Sequence, residues 1–205
     1  TEVSLRDGTL VRIRPIVPDD KGYIVEGFRR LSPESRYRRF MAPLAELSEE
    51  QLRQLTEIDY EDHFALIALS LDEADTPGMG VSRYVRDRKE PEVAEAAVTV
   101  IDDYHGRGLG TLLLQALGAV ALEHGIKRFR GFVLENNRPI RDVLDGLGAT
   151  VHHDSPGLVR VDIDLPATAE DLRGSPLYDV LRAVARGDGP VFVRPAGLPR
   201  GETVT

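Results

Sequence analysis

The chain has 205 residues, 41% hydrophobic and 29% charged, which is enough to bury the core of one domain with a modest appendage. It contains no cysteine, which excludes disulfides, thiolate metal sites and a cysteine acyl relay. The formal net charge of -8 lacks the basic footprint expected of a nucleic-acid partner. No apolar run of about 18 residues and no charged-then-apolar leader occurs. We therefore expect a cytoplasmic protein without nucleic-acid or membrane partners.

Hydrophobic periodicity predicts alternating strands and helices. The predicted strands are residues 9–15, 64–71, 77–85, 93–101 and 127–134, with a closing hairpin at 150–153 and 157–165. The predicted helices are residues 18–31, 48–58 after a capping box at 48–51, a helix from 109 that Gly125 ends, and 138–147. Runs of strands followed by strand–helix alternation predict an α/β fold, a mixed sheet with helices on both faces.

Two regions are predicted along the chain. Residues 1–166 form the domain, and residues 167–205 form a C-terminal extension. The extension carries a short helical signal at 169–186 and then prolines among glycines. We expect one short helix followed by an irregular tail.

The segment 93–110 is the most informative part of the chain. An apolar strand runs into a glycine-rich turn, which opens a helix with a leucine- and alanine-rich inner face. Backbone N–H groups and the helix dipole make such a turn an anion site. Gly106, Gly108 and Gly110 allow close backbone approach and positive φ. The Walker pattern is absent, and Leu113 replaces the third glycine of the dinucleotide pattern, so the turn predicts a pyrophosphate site of another kind.

These residues carry a resemblance to a known family. The turn at residues 105–110 resembles the [QR]-x-x-G-x-[GA] motif with which the GNAT superfamily of acetyltransferases binds acetyl-coenzyme A, with His105 in place of Gln or Arg. Residues 137–149, an Asn followed by a helix ending in L-G-A, resemble the second family landmark. Residues 31–41 and 55–68 resemble the catalytic domain of bacterial Pat-type protein lysine acetyltransferases.

The resemblance, over residues 8–165, implies a GNAT-like, mostly antiparallel twisted sheet and acetyl-CoA as co-substrate. We expect no metal, because His152 and His153 are neighbours on a strand, point to opposite faces and have no third ligand at metal spacing. It implies that the backbones of Val98 and Val100 hold the pantetheine arm, that the Val100 N–H polarises the thioester carbonyl, and that Asn137 contacts the coenzyme. An Asn before a helix is also a common helix cap. The turn residues implied to bind the pyrophosphate are His105, Gly106, Arg107, Gly108, Leu109, Gly110 and Thr111.

Glu95 is the candidate catalytic base. Acetylation requires a neutral amine, whereas free Lys has a pKa of about 10.4, so a carboxylate must accept the proton directly or through water. Glu95 lies in an otherwise apolar strand just before the turn and matches the Glu that serves as base in Pat-type relatives. The alternative is a Glu on the solvated face of an edge strand. The Tyr that protonates the leaving thiolate in many GNAT enzymes is replaced by Leu144.

Other polar residues have simpler explanations. We interpret Arg36, Arg38 and Arg39 as a solvated helix face, with the coenzyme 3′-phosphate or an acidic protein patch as alternatives. Tyr104 is interpreted as a packing residue. His63 and His124 are interpreted as surface or hydrogen-bonded histidines.

Three functions fit the sequence. The first is a protein lysine N-acetyltransferase acting by direct attack in a ternary complex, with an acyl-CoA synthetase as a family-based substrate candidate. The second is an N-acetyltransferase for a small amine. The third is a non-catalytic acyl-CoA-binding sensor, which Glu95 argues against.

Overall fold

The computed structural model describes residues 1–40, 42–72, 78–135, 150–168 and 171. Within them, eight strands form one sheet: β1 Glu2–Ser4, β2 Leu10–Pro15, β3 His63–Ser70, β4 Gly78–Arg86, β5 Val93–Val100, β6 Arg128–Leu134, β7 Thr150–Ser155 and β8 Leu158–Asp164. The α-helices are α1 Lys21–Arg30, α2 Pro33–Phe40, α3 Glu49–Thr56 and α4 Leu109–Glu123. None of the helices in this part of the chain is long and apolar enough to cross a membrane.

The strand order across the sheet is β1-β2-β3-β4-β5-β6-β8-β7. Every neighbouring pair is antiparallel except β5 and β6, which run parallel. The mixed, mostly antiparallel sheet with helices on both faces confirms the predicted fold class. The predicted helix at 18–31 begins as a 3₁₀ turn at Pro18–Asp20 and continues as α1. The strand β1 and the 3₁₀ turn at Asp102–Tyr104 were not predicted. The predicted helix at 138–147, and the extension apart from residues 167, 168 and 171, lie outside the described residues.

Local chemistry explains where several elements begin and end. The Ser48 hydroxyl accepts from the Gln51 N–H at 3.2 Å, and the Gln51 side chain accepts from the Ser48 N–H at 2.8 Å. This reciprocal capping box starts α3, as predicted. Gly125 follows α4 with a φ of 76°, the left-handed conformation that commonly ends a helix. The apolar strand β3 is buried along almost its whole length because helices cover both of its faces.

The two faces of the sheet carry different cores. Helix α4 packs on one face through its leucines, and the largest buried cluster lies there. Helices α1 and α3 cover the other face, above a smaller cluster formed by Ile16, Ala65 and Ile67. A Cβ at Gly80 would lie 2.9 Å from the Thr99 carbonyl oxygen and 3.1 Å from Leu113. Glycine at this position therefore allows β4, β5 and α4 to approach closely.

Candidate active site

The sheet opens between its two parallel strands. Strands β5 and β6 are in register only at three pairs, Val93 with Arg128, Ala94 with Phe129 and Glu95 with Arg130. Beyond the third pair β5 continues to Val100, while β6 continues to Leu134 paired with β8. The three register pairs lie near the amino ends of both strands. Because the strands run in the same direction, the split between them opens toward their carboxyl ends. Such an opening is a common place for ligands in sheets with parallel strands.

The backbone of β5 presents polar groups to the split. In an antiparallel pair, alternate residues exchange both of their hydrogen bonds with the partner strand. The Ile101 N–H donates to the Met79 carbonyl at 3.0 Å, and the Val93 carbonyl accepts from the Asp87 N–H at 2.9 Å, so the odd-numbered residues face β4. The N–H and C=O groups of Val98 and Val100 therefore point away from β4 and toward the split.

Glu95 lies at the closed end of the split. It belongs to the last register pair between β5 and β6, and its side chain is half-buried. Ala94, Ala96 and Val98 belong to the core beneath α4, so Glu95 faces the opposite side, which α1 and α3 cover. Since β5 is a central strand, the edge-strand alternative for Glu95 is excluded.

A buried ion cluster borders Glu95. Arg130, its register partner, donates to both carboxylate oxygens of Asp162 on β8 at 2.9 and 3.1 Å. The same guanidinium reaches Asp87 and Glu90 in the turn between β4 and β5. The hydrogen bonds to Asp162 raise the pKa of Arg130 further above its ordinary value. The cluster ties β6 to β8 and to that turn at the point where β5 and β6 separate.

The glycine turn stands at the open end of the split. Gly106 and Gly108 adopt φ values of 75° and 89°, as predicted for this turn. Gly108 is the N-cap of α4 and, as a glycine, has no side chain with which to cap this end of the helix. The first N–H groups of a helix have no partner inside it, so the start of α4 offers donors and a positive dipole end. A Cβ added at Gly106 would meet no atom of the described residues within 4 Å, so the turn is open to them on that side.

Three predicted turn residues are buried instead of lining an open surface. Leu109, Gly110 and Thr111 form the first turn of α4 and are buried, and Gly110 has no positive φ. The expectation of positive φ therefore holds for Gly106 and Gly108 only, because Gly110 is already helical. The Leu109 side chain belongs to the core, so only its backbone can face a ligand.

The polar side chains of the turn hold its shape. His105 Nε2 lies 2.9 Å from the Val100 carbonyl, and because a carbonyl only accepts, this nitrogen donates. Arg107 donates to the Asp103 carbonyl at 2.9 Å and to Asp7 at 3.0 Å, and it stacks over the Tyr104 ring. Tyr104 is buried, in agreement with its interpretation as a packing residue. The Arg6 Nε lies 3.7 Å from the Cβ position of Gly108, a cation beside the turn that the sequence did not point to.

The loop before the turn is tied to the helices on the other side of the sheet. Asp102 accepts from the Ser32 N–H at 3.0 Å and from the Ser35 hydroxyl at 2.8 Å, and Asp103 pairs with Arg30 at 2.7 Å. Burial raises the pKa of Asp102, but the hydrogen bonds from Ser32 and Ser35 outweigh it and keep this pKa below its ordinary value. The position of the glycine turn is therefore coupled to α1 and α2.

A cleft lies between those helices and the sheet. A cavity of about 70 Å³ is lined by residues of α1, α2, β4 and β5, including Tyr23, Phe28, Phe40 and Thr99. It lies on the same side of the sheet as Glu95, because Thr99 lies four residues further along β5 on the same face. Arg39 and Arg83 also line the cleft.

The predicted solvated face of α2 is wrong for Arg39, whereas Arg36 is half-buried. Arg36 donates to the Phe28, Arg29 and Leu31 carbonyls at the carboxyl end of α1, and the Phe28 carbonyl also accepts from the Leu31 N–H. Arg39 is buried in the cleft. The side chain of Arg38, and the predicted positions Asn137 and Leu144, lie outside the described residues.

Two buried polar residues bond to histidines. Arg83 donates to the Leu55 carbonyl at 2.9 Å and contacts His63 Nε2 at 3.0 Å. Burial, with the charge of Arg83, lowers the pKa of His63 to about 4, so His63 is neutral near pH 7 and accepts through Nε2. The Tyr84 hydroxyl contacts the Glu61 carbonyl and His124, and burial raises its pKa to about 12. His63 and His124 are thus both hydrogen-bonded, as interpreted.

Comparison with known proteins identifies the family to which this geometry belongs. The sequence model of the family described as "Acetyltransferase (GNAT) domain" matches residues 11–150. The crystal structure of the GNAT domain of S. lividans PAT is 35% identical, with a TM-score of 0.70, over 80% of this chain and 96% of that one.

Two curated bacterial proteins are similar over most of the chain. Acetyltransferase Pat of Mycolicibacterium smegmatis is 35% identical over 164 residues, which cover 80% of this chain and 48% of Pat. Acetyltransferase PA5475 of Pseudomonas aeruginosa is 37% identical over 145 residues, which cover 71% of this chain and 77% of that protein. The chain thus spans about half the length of Pat and most of PA5475.

The neutral state of His63 predicts an acid-sensitive fold. The unfolded chain takes up a proton at His63 near pH 6.5, whereas the folded chain does so only near pH 4, so stability present above pH 6.5 is lost as the pH falls to 4. Allowing for partial solvent exposure, this residue should contribute about 2 kcal/mol to that loss. In His63→Gln, the Gln amide oxygen can accept from Arg83. This variant should show a weaker pH dependence of the free energy of unfolding, measured by urea unfolding at several pH values. His153→Gln, on exposed β7, is the matched control, and an equal slope in His63→Gln and wild type would contradict the assignment.

Proposed function

The chain belongs to the GNAT acetyltransferase family, and we propose that it transfers the acetyl group of acetyl-CoA to the ε-amine of a lysine on a protein. The observation that carries this proposal is the split between β5 and β6, with the glycine turn at its open end and Glu95 at its closed end. In this proposal the turn binds the anionic part of the co-substrate, the outward groups of β5 bind its arm, and Glu95 is the carboxylate that accepts a proton.

Acetyl-CoA is the co-substrate in this proposal. Its pyrophosphate lies against the N–H groups of residues 106–111, where the helix dipole favours negative charge. Arg6 adds a positive charge beside Gly108. The pantetheine arm lies along β5 and bonds to the outward groups of Val98 and Val100, in the manner of an added strand. Asn137 retains its proposed contact with the coenzyme.

The reaction is direct transfer from sulfur to nitrogen. The neutral lysine nitrogen attacks the thioester carbon, the new C–N bond forms, and the C–S bond breaks to release the thiolate, which solvent protonates. Of the two outward N–H groups, Val98 is better placed than Val100 to polarise the thioester carbonyl near Glu95. Val98 lies three residues beyond Glu95, a distance of about 10 Å along the strand. Val100 lies five residues beyond Glu95, a distance of about 16 Å. Glu95 therefore takes the proton of the lysine through ordered water.

The first prediction of the proposed function concerns the binding of acetyl-CoA. Gly108→Glu places a carboxylate in the turn, where it repels the pyrophosphate and pairs with Arg6. Because like charges forced together cost several kcal/mol, the Kd for acetyl-CoA in calorimetry should rise about 100-fold or more. Gly157→Glu is the matched control, because Gly157 has a similar φ of 80° but lies in the β7–β8 turn. If Gly108→Glu bound acetyl-CoA like Gly157→Glu, the pyrophosphate assignment would be wrong.

The second prediction concerns the base. Glu95→Gln should leave the affinity for acetyl-CoA nearly unchanged and reduce turnover by roughly 10²–10⁴, the usual contribution of a general base. The loss should shrink at alkaline pH, where more of the amine is already neutral. Glu92→Gln is the matched control, because Glu92 lies three residues before Glu95, is exposed and pairs with Lys127. This variant should keep full turnover. An equal loss at every pH, together with weaker acetyl-CoA binding, would instead indicate a structural role for Glu95.

The third prediction concerns the acceptor. Likeness to Pat-type enzymes makes acyl-CoA synthetases the first protein substrates to test. Incubation with acetyl-CoA should acetylate one synthetase lysine, located by mass spectrometry, and lower the synthetase activity. A panel of antibiotics, polyamines and amino acids serves as the comparison. Rapid acetylation of one of these amines with no protein modified would overturn the protein-lysine proposal and favour a small-amine acetyltransferase.

A further inference from the structure

The cleft beneath α1 and α2 combines apolar walls with two buried cations. Its walls include Phe28, Phe40 and Ile67, whereas Arg39 enters from α2 and Arg83 from β4. Arg39 is 8% exposed and Arg83 only 4%. Arginine is rarely buried to this extent unless a carboxylate or another anion accompanies it.

Neither guanidinium has a carboxylate partner among the described residues. Arg83 donates to the Leu55 carbonyl and to neutral His63, and its Nε has no hydrogen-bond partner there. Arg39 lies over the Phe40 ring, with its guanidinium carbon 5.0 Å from the ring centre, and no acceptor from the described residues bonds to it. The salt bridges found in this part of the chain include neither residue.

Two like charges are therefore held in one buried place. Burial lowers the pKa of Arg39 to about 10, and burial together with the charge of Arg39 lowers the pKa of Arg83 to about 9. Both groups nevertheless remain cationic near pH 7. A buried charge is strongly unfavourable where no counterion accompanies it, and the described residues supply none to Arg39 or Arg83. Entry of an anion relieves this unfavourable energy.

The anion site lies on the acceptor side of the sheet. Arg83 is in register with Ala97, which lies two residues beyond Glu95 on the same face of β5. The separation along the strand is about 7 Å. An acceptor amine near the closed end of the split and an anionic group on the same molecule can thus be bound together.

We propose that Arg39 and Arg83 bind a carboxylate that belongs to the acceptor and thereby select acceptors with an acid close to the reacting amine. This inference rests on the proposed acetyl transfer and specifies its acceptor. The planar guanidinium matches a carboxylate in two-point hydrogen bonding. A carboxylate on a short alkyl chain fits better than a phosphate, because the apolar walls offer few donors for additional oxygens.

The direct test measures anion binding without any acetyl transfer. Thermal unfolding is followed with propionate and with its neutral analogue propionamide. Propionate should raise the Tm of wild type, and propionamide should not. Arg39→Met should abolish the response to propionate and should unfold at a higher Tm than wild type without ligand, because a buried unpaired charge is gone. Arg29→Met, at an exposed position of α1, should respond like wild type.

Other outcomes of this test would overturn the proposal. If Arg39 had only a structural role, Arg39→Met would have a lower Tm than wild type, and propionate would still raise that Tm as much as it does in wild type. Equal responses of wild type to propionate and propionamide would show that the cleft does not recognise charge. If Arg39→Met did not fold, Arg39→Lys, which keeps the charge but loses the planar fork, should give a weakened propionate response, and an unchanged response would again contradict the proposal.

The acceptor test identifies the source of the carboxylate. One arm compares lysine peptides that carry Asp or Glu near the lysine with their Asn or Gln counterparts. The other arm compares Nα-acetyl-lysine with its amide. Wild type should prefer the acid in at least one arm by about tenfold in kcat/KM, the effect of one good charged hydrogen bond, and Arg39→Met should lose that preference.

The two arms also separate this inference from the proposed function. Equal use of acids and amides by wild type, without a propionate response, would remove the anion site and leave acetyl transfer standing. Absence of acetylation for every acceptor, with propionate bound, would instead argue against the proposed transfer while the carboxylate site remained.

Discussion

The buried ion pair of Arg130 and Asp162 stands where β5 and β6 separate, and Asp87 and Glu90 extend it toward the surface. Arg130 stands at the last register pair of the two strands and bonds to Asp162 on β8 and to the turn between β4 and β5. Removing one member of a buried ion cluster leaves the others unpaired, at a cost of about 3–5 kcal/mol. The cluster therefore holds β6 against β8 while β5 turns away. Past that divergence, the outward backbone groups of β5 have no register partner on β6 among the described residues, and Glu95 stands at the point where the strands separate.

The sheet separates apolar packing from polar chemistry. On the α4 face, leucines, Met79 and Phe129 form a continuous core, and the Ser82 hydroxyl donates to the Leu113 carbonyl at 3.0 Å. The opposite face carries Glu95, Arg83 and Arg39, and its helices are joined to the glycine turn through Asp102. A rigid apolar layer thus supports the strand that bears the proposed base, whereas the layer above the cleft is held by directional polar contacts.

Local patterns were sufficient for much of the fold and for the glycine turn. Strand periodicity, the Ser48 capping box and the positive φ of Gly106 and Gly108 all depend on neighbouring residues, so the sequence alone predicts them. The burial of Arg39 depends on how α1, α2 and the sheet pack, and a helix reading R-Y-R-R-F looks solvated on its own. The pairing of Arg130 with Asp162, 32 residues apart, and the central place of β5 likewise need the three-dimensional arrangement.

The two sides of the proposed site differ in how they restrict ligands. The co-substrate side consists mainly of backbone N–H and C=O groups, which most side-chain substitutions leave in place. The acceptor side consists of side chains from α1, α2 and β4, and each substitution there changes charge or shape directly. Members of this family can therefore keep one co-substrate while they diverge in acceptor. This asymmetry is the physical reason why family likeness determines the co-substrate more firmly than the acceptor. In the proposal made above for this chain, acceptors are distinguished by Arg39 and Arg83, two buried arginines that have no carboxylate partner among the described residues.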